Sequence, residues 1–374
     1  MSKDFICLGC GIDVSKDKLD ICLGAQRADK SFKIIAQRKT FKNTVSDIKK
    51  LVKWLQSKLK AYPTDQRPPF RIILESTGTY HERVLLALYE ADLPVCLERA
   101  DRVKGYLRSI GQYSKNDQLD ARGIAQMACE RKTRLWKPFS PNILALRSVL
   151  RLRSALVSDR TRLKNRIHAQ KHASYANRTV KGSLKRLVKQ LDREIAALEK
   201  EMVRLYQQDE QLRCSIDPIV RSLPGVSLLS ALTVFSETNG FSNIKGRRAL
   251  TRYAGLNVIE HQSGTTQRKT QISKRGNDRI RTALYMCAMS HIRQAKGNIY
   301  NKYVRICQRN PKVKKIGLTA VMRELLELIY TLHKTGRTYV ADYQWRPTEP
   351  EANSPSTAKK STPELSPEVH GIAA

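Results

Sequence analysis

Leu184, Leu187, Leu191, Ile195, Leu198, Met202 and Leu205 recur at steps of 3, 4, 4, 3, 4 and 3 through the middle of the chain. That alternation keeps one apolar stripe on a single long helix, the seam of a coiled coil. Such a seam packs either on another helix of the same chain or on a second copy, and the spacing alone does not choose. This middle part of the chain is different in kind from what flanks it. The 374 residues are read as a first domain over 1–138, a basic helical segment over 139–213, a second domain over 214–345 and a tail over 346–374. The tail is rich in Pro, Ser, Thr and Glu and is expected to be disordered.

Ahead of the seam, strand-like and helix-like stretches alternate. Phe5 to Val14 reads as a buried strand, and Leu19 to Leu23 as its partner across the Ser15-Lys16-Asp17 turn. Asn43 to Leu59 has helical spacing, Phe70 to Leu74 is a strand, and Tyr80 to Ala91 is a helix. Leu93 to Leu97 gives another strand and Gln118 to Arg131 another helix. The succession predicts an α/β domain around a mixed sheet. From Ile219 to Tyr343 the patterning is mostly helical, opening on a Leu223-Pro224-Gly225-Val226 turn.

The charge points to the partner. Lys and Arg total 69 against 34 Asp and Glu, a net charge of +35. A chain this basic repels itself unless a polyanion neutralises it, and nucleic acid is the expected one. Arg147 to Lys171 alone carries eight Lys or Arg and a single acid, Asp159, which favours a phosphate-binding face over a merely solvated one. No run approaches about 18 apolar residues, so no spanning helix is expected. Nor does the N-terminus have a signal-peptide pattern, and the protein is expected in the cytoplasm. Eight scattered cysteines, including the isolated Cys7 and Cys10 pair, are expected to be reduced thiols.

Four acids stand where strands end or helices begin. Asp13 lies within the first strand, and Glu75 follows Ile72-Ile73-Leu74. Asp117 and Asp120 stand three apart, on one face of a helix; Asp117 also suits an N-cap. A carboxylate ending a buried strand needs a partner or a cation. Hard oxygen ligands select Mg²⁺ or Mn²⁺, and a pair of such ions activates a nucleophile and stabilises the leaving oxygen of a phosphodiester.

Three segments carry a family likeness. Gly11-Ile12-Asp13-Val14-Ser15-Lys16-Asp17-Lys18-Leu19-Asp20, Leu74-Glu75-Ser76-Thr77-Gly78-Thr79-Tyr80 and Asn116-Asp117-Gln118-Leu119-Asp120-Ala121-Arg122 closely resemble the DEDD insertion-sequence transposases, a family that includes the Piv-type DNA invertases. Only Ser76 departs, where an alanine is commoner. The resemblance implies an RNase H-like, RuvC-like first domain in which Asp13, Glu75, Asp117 and Asp120 bind the metal.

It continues through Tyr253-Ala254-Gly255-Leu256, His261-Gln262-Ser263-Gly264 and Ile272-Ser273-Lys274-Arg275-Gly276-Asn277, which resemble the same family's C-terminal transposase domain. There the serine of the Ser-Gly pair attacks DNA, which makes Ser263 the implied nucleophile. Read without the resemblance, Ser263-Gly264 is a turn, and Thr265, Thr266, Ser273 and Tyr253 are rival hydroxyls. The resemblance also implies a non-coding bridge RNA that pairs with donor and target DNA, and a dimer of dimers in which one protomer's tetrad meets another's serine. A plain junction endonuclease using water, or a non-catalytic scaffold, would share the charge and the acids.

Overall fold

The apolar start of the chain becomes β1 (Phe5–Val14), which turns back through three residues into β2 (Lys18–Arg27). The Ser15 hydroxyl closes that turn, donating to the Lys18 carbonyl at 2.9 Å and accepting from the Lys18 amide at 3.1 Å. So short a connection fixes the register, and Asp13 lies directly opposite Asp20. The computed structural model describes residues 5–62, 67–113, 116–173, 175, 177–242, 244–263, 266–294 and 297–341, with the main chain alone at 37, 38, 118, 260–263 and 266–269. The tail expected to be disordered lies outside the described residues.

β3 (Phe32–Lys42) pairs antiparallel with β2. Helix α1 (Val45–Leu59) follows, its first turn capped by Thr44, whose side chain accepts from the Asp47 amide. Then come β4 (Phe70–Glu75), α2 (Glu82–Glu90), β5 (Val95–Glu98), α3 (Ala100–Ser109) and α4 (Asp117–Glu130). The sheet runs β3-β2-β1-β4-β5. β4 is parallel to β1 and to β5, and β2 is reversed, which is the mixed sheet expected of an RNase H-like domain.

Strand alternation sorts the side chains onto two faces. Leu8, Cys10, Ile12, Ile72 and Leu74 bury against the apolar stripes of α1 and α2. Ile73 and Cys96 bury against α3 and α4, and Cys22 meets Ala121 and Ala125. β3 and α3 go beyond what the sequence pattern predicts. β3 is an edge strand whose apolar residues are broken up by Lys33, Lys39 and Lys42, the charges that guard an edge and also erase its alternation.

Two long helices follow, α5 (Pro141–Lys171) and α6 (Arg178–Gln207). Arg153 pairs with Glu199 at 2.6 Å and Arg160 with Asp192 at 2.8 Å, so the two run antiparallel. Of the seam residues, Ile195, Met202 and Leu205 are buried, while Leu187 is 48% exposed. At least part of the apolar stripe on α6 is therefore covered within one chain.

The molecule divides into two compact units. One runs to Leu205 and takes in a return segment starting at Thr238; the other begins at Tyr206 and resumes at Ile244. The second unit contains α7 (Glu210–Ser222), α8 (Leu228–Thr238, shared at its end), α9 (Arg247–Ala254), the strands β6 (Val258–Ser263) and β7 (Thr266–Ile272), α10 (Asp278–Gln294), α11 (Asn298–Arg309) and α12 (Lys315–Thr335). α12 is its spine, burying Leu318, Val321, Met322, Leu325, Leu326 and Ile329. The unit is mostly helical as expected, with an antiparallel hairpin set into it. All eight cysteines are free thiols. No helix among the described residues is long and apolar enough to cross a membrane.

Candidate active site

The strands deliver two of the acids and α4 the other two. Asp13 and Glu75 share the parity of Gly11 and Ile73, and so face α4 rather than α1 and α2. α4 lies flush along β1 because β1 has glycines where the helix passes. A Cβ at Gly11 would stand 2.1 Å from the Ala121 carbonyl oxygen and 2.4 Å from the Ala125 amide nitrogen; one at Gly9 would stand 2.2 Å from the Ala125 carbonyl oxygen. Main chain therefore meets main chain, and the first turn of α4, with Asp117 and Asp120, reaches the end of β1 that holds Asp13.

Crowding shows in the chemistry. Burial, and then the charges of Asp117, Asp120, Glu75 and Asp20, push the Asp13 carboxyl up to about 6. The four acids singled out in the sequence are thus brought together, with a fifth, Asp20, beside them. Asp20 is only 5% exposed and accepts from the Thr40 hydroxyl at 2.5 Å. Lys18 bridges the group, its Nζ 2.7 Å from Asp117 Oδ2 and 3.2 Å from Asp20 Oδ2. Gln112 donates its amide to Asp120 Oδ1 at 2.8 Å. Asn43 ties the two neighbouring loops together, donating to the carbonyls of Ser15 and Tyr80 at 2.9 and 3.0 Å.

Lys18, Asp20 and Gln112 had no role in the sequence reading. The first two stand within the quoted motif, and the short turn after β1 is the signal that places Asp20 opposite Asp13. Gln112 has no such signal.

An all-carboxylate donor set suits a hard divalent cation, and like charges this close need one. Two buried oxygens on the bordering loops, Asn43 Oδ1 and Thr77 Oγ1, lack hydrogen-bond partners. Yet among the described residues no three His, Cys, Asp or Glu side chains are grouped so as to hold one ion as they stand. The donor chemistry is of the kind that suits a hard divalent cation.

Ser263 belongs to the second unit. It ends β6 and pairs with Thr266 across a two-residue connection, Gly264-Thr265, which lies outside the described residues. The base of this hairpin is firmly held. Ser273 Oγ donates to Asn257 Oδ1 at 2.6 Å, Arg281 donates to the Ala254 carbonyl at 2.9 Å, and the Asn277 amide donates to the Tyr253 carbonyl at 2.8 Å. The Tyr253 hydroxyl donates to the Glu237 carbonyl at 2.8 Å. Two of the rival hydroxyls, Tyr253 and Ser273, are thus engaged in anchoring the hairpin.

A family model for the DEDD transposases of IS110 type matches residues 10–171, from within β1 through the rest of the sheet and across all four acids. A second, the transposase IS116/IS110/IS902 family, matches residues 217–305, across the hairpin. The chain belongs to the DEDD insertion-sequence transposases.

Within that family it is similar to the pilin gene-inverting protein of Moraxella bovis, 25% identical over 340 residues that cover 91% of this chain and 98% of the relative. It is also similar to the transposase for insertion sequence element IS1111A of Coxiella burnetii, 28% identical over 56% of this chain and 63% of that one. Among solved structures, Thermus thermophilus RuvC aligns with a TM-score of 0.27 at 16% identity, covering 34% of this chain and 99% of that one. The same protein with a Holliday junction substrate gives 0.25 at 15%, covering 32% and 90%.

Proposed function

We propose that this transposase cuts and rejoins DNA strands by transesterification, with Asp13, Glu75, Asp117 and Asp120 as the metal-binding group and Ser263 as the nucleophile. The observation that carries the reading is the convergence of Asp117, Asp120 and Glu75 on Asp13, whose carboxyl is raised first by burial and then by their charges. When bound, Mg²⁺ or Mn²⁺ would supply Lewis-acid stabilisation of the charge that develops on the phosphodiester. Ser263 Oγ attacks phosphorus, forming a phosphoserine link, while the displaced strand end leaves as a hydroxyl carrying the proton. Rejoining reverses the step with a new strand's hydroxyl.

Phosphate backbones are held by the positive charge. On α5, Arg153, Arg160 and Arg162 are paired with acids, whereas Lys164, Arg166 and Lys171 are exposed toward its far end. This face supports the reading that α5 tracks nucleic acid, including a bridge RNA that chooses sequence by base pairing. Assembly as a dimer of dimers, in the cytoplasm, completes the proposal.

A denaturing-gel search for a protein–DNA adduct tests it. Wild type, Ser263→Ala and Asp13→Asn would be incubated with Mg²⁺, element-end DNA and the element's flanking transcript. An adduct in wild type alone is expected. Cleavage with no adduct would make water the nucleophile and the protein a junction endonuclease.

A further inference from the structure

Lys18 stands among the acids in a way that the metal reading alone does not explain. Five carboxylates gather here, and Lys18 brings an ammonium into contact with two of them, Asp20 and Asp117. It is not a loose surface lysine. Its main chain is fixed on both sides by Ser15. Its ammonium is anchored on Asp20, a carboxylate that is nearly fully buried and itself held by Thr40. From that anchor it reaches 2.7 Å to Asp117. The described acids meanwhile fall short of a three-ligand group for one ion.

We propose that Lys18 is a positioning residue, a built-in cation that holds Asp117 out of the metal-binding arrangement until a divalent ion displaces it. The inference rests on the metal reading of the tetrad. An ammonium and a divalent cation repel, and both require the same negative charge, so loading at Asp117 is an exchange rather than a simple addition. The exchange has a use. Without an ion, Lys18 tempers the repulsion among the acids and keeps Asp117 ordered. Once displaced, it remains tethered at Asp20 beside the site as a positive charge available to a phosphate.

Mn²⁺ binding to the full-length protein without DNA, followed by electron paramagnetic resonance, separates the possibilities. Removing an exposed competing ion pair is expected to tighten Mn²⁺ binding about fivefold in Lys18→Met. Lys18→Arg, which keeps the charge, is expected to bind as wild type does. Unchanged or weaker binding in Lys18→Met would overturn the proposal, as would equal tightening in Lys18→Arg, because charge would then not be the cause. Asp13→Asn is the control for the underlying reading. If it abolishes Mn²⁺ binding while Lys18→Met leaves the affinity unchanged, the metal site stands and the Lys18 proposal alone fails. If Asp13→Asn binds as wild type does, the metal reading itself is overturned, and this proposal with it.

Discussion

Asp13 and Asp20 face each other across β1 and β2 as a directly opposed pair of carboxylates. Like charges in that position destabilise a sheet. Here Asp20 is occupied by Lys18 and Thr40, while Asp13, raised first by burial, then by Asp117, Asp120 and Glu75 and last by Asp20, holds its proton up to about pH 6. The sheet thus carries an electrostatic cost located at one side chain.

Its sign is set by linkage. The ordinary value for this carboxyl is 3.8, so as pH rises from there to about 6 the unfolded chain releases a proton that the folded chain keeps. Folded stability falls through that window and the full penalty applies above it. In a chelator, Asp13→Asn is expected to melt higher than wild type at about pH 7.5, with the difference vanishing toward about pH 4. Calorimetric melting of the two proteins across that range checks it.

The same proton competes with the ion. Metal ligation needs the carboxylate, so Mn²⁺ affinity is expected to hold above about pH 6.5 and to fall as pH drops below about 6. Titration calorimetry in buffers of different ionisation enthalpy would detect the proton released near the midpoint. No proton release there would remove Asp13 from the ligand set.

Gly11→Ala places a methyl group against main chain that cannot step aside. The expected loss is about 1–3 kcal/mol or more of stability, with recombination lost as α4 is forced off β1. Gly105→Ala, on the exposed side of α3 with nothing within 4 Å, is the matched control and is expected to stabilise by about 0.5–1 kcal/mol. Urea denaturation of both distinguishes a local clash from a general effect of alanine.

In the second unit, Asn277 joins two jobs. Its Nδ2 donates to the buried Glu237 carboxylate at 2.7 Å, and its Oδ1 caps α10 by accepting from the amides of Arg279 and Ile280. Asn277→Ala is expected to destabilise by about 2–4 kcal/mol, through one charge-assisted bond and one cap. Glu237→Gln in the same background is expected to recover part of this, measured as a shift in denaturation midpoint.

The α5–α6 hairpin makes a weaker claim on stability. Arg160 and Asp192 are 29% and 47% exposed, so a double-mutant cycle is expected to give a coupling below about 1 kcal/mol that declines with salt. A coupling above zero in dilute protein would establish the antiparallel pairing in solution.

What the sequence discloses here follows from how many atoms each inference needs. β1, α1, β4 and α4 are legible because burial on one face leaves a period in the chain. The acids are legible because a carboxylate at the end of an apolar run is costly enough to require a reason. β3 is hidden, since an edge strand carries the charges that erase its own alternation. The β6–β7 hairpin is hidden too: outside Val258, Ile259 and Ile272 its strands are polar, and only Ser263-Gly264 marks the turn. Lys18 is one of 69 basic residues, and although it stands within the family motif, its charge alone does not set it apart. Its role appears only when strand register and the helix bring Asp20 and Asp117 to either side. Ser263 owes its assignment to family likeness, and the structure adds what its neighbours Tyr253 and Ser273 are otherwise doing.

The glycine-lined contact of α4 with β1 is a joint without a shim. At Gly11 the nearest atoms of α4 are all main chain, so no side chain is there to be swapped for a larger or smaller one to retune the gap between Asp13 and the helix. Anyone seeking to shift this site toward a larger ion would have to lengthen the ligands themselves, aspartate to glutamate, because the frame beneath them has no adjustable part.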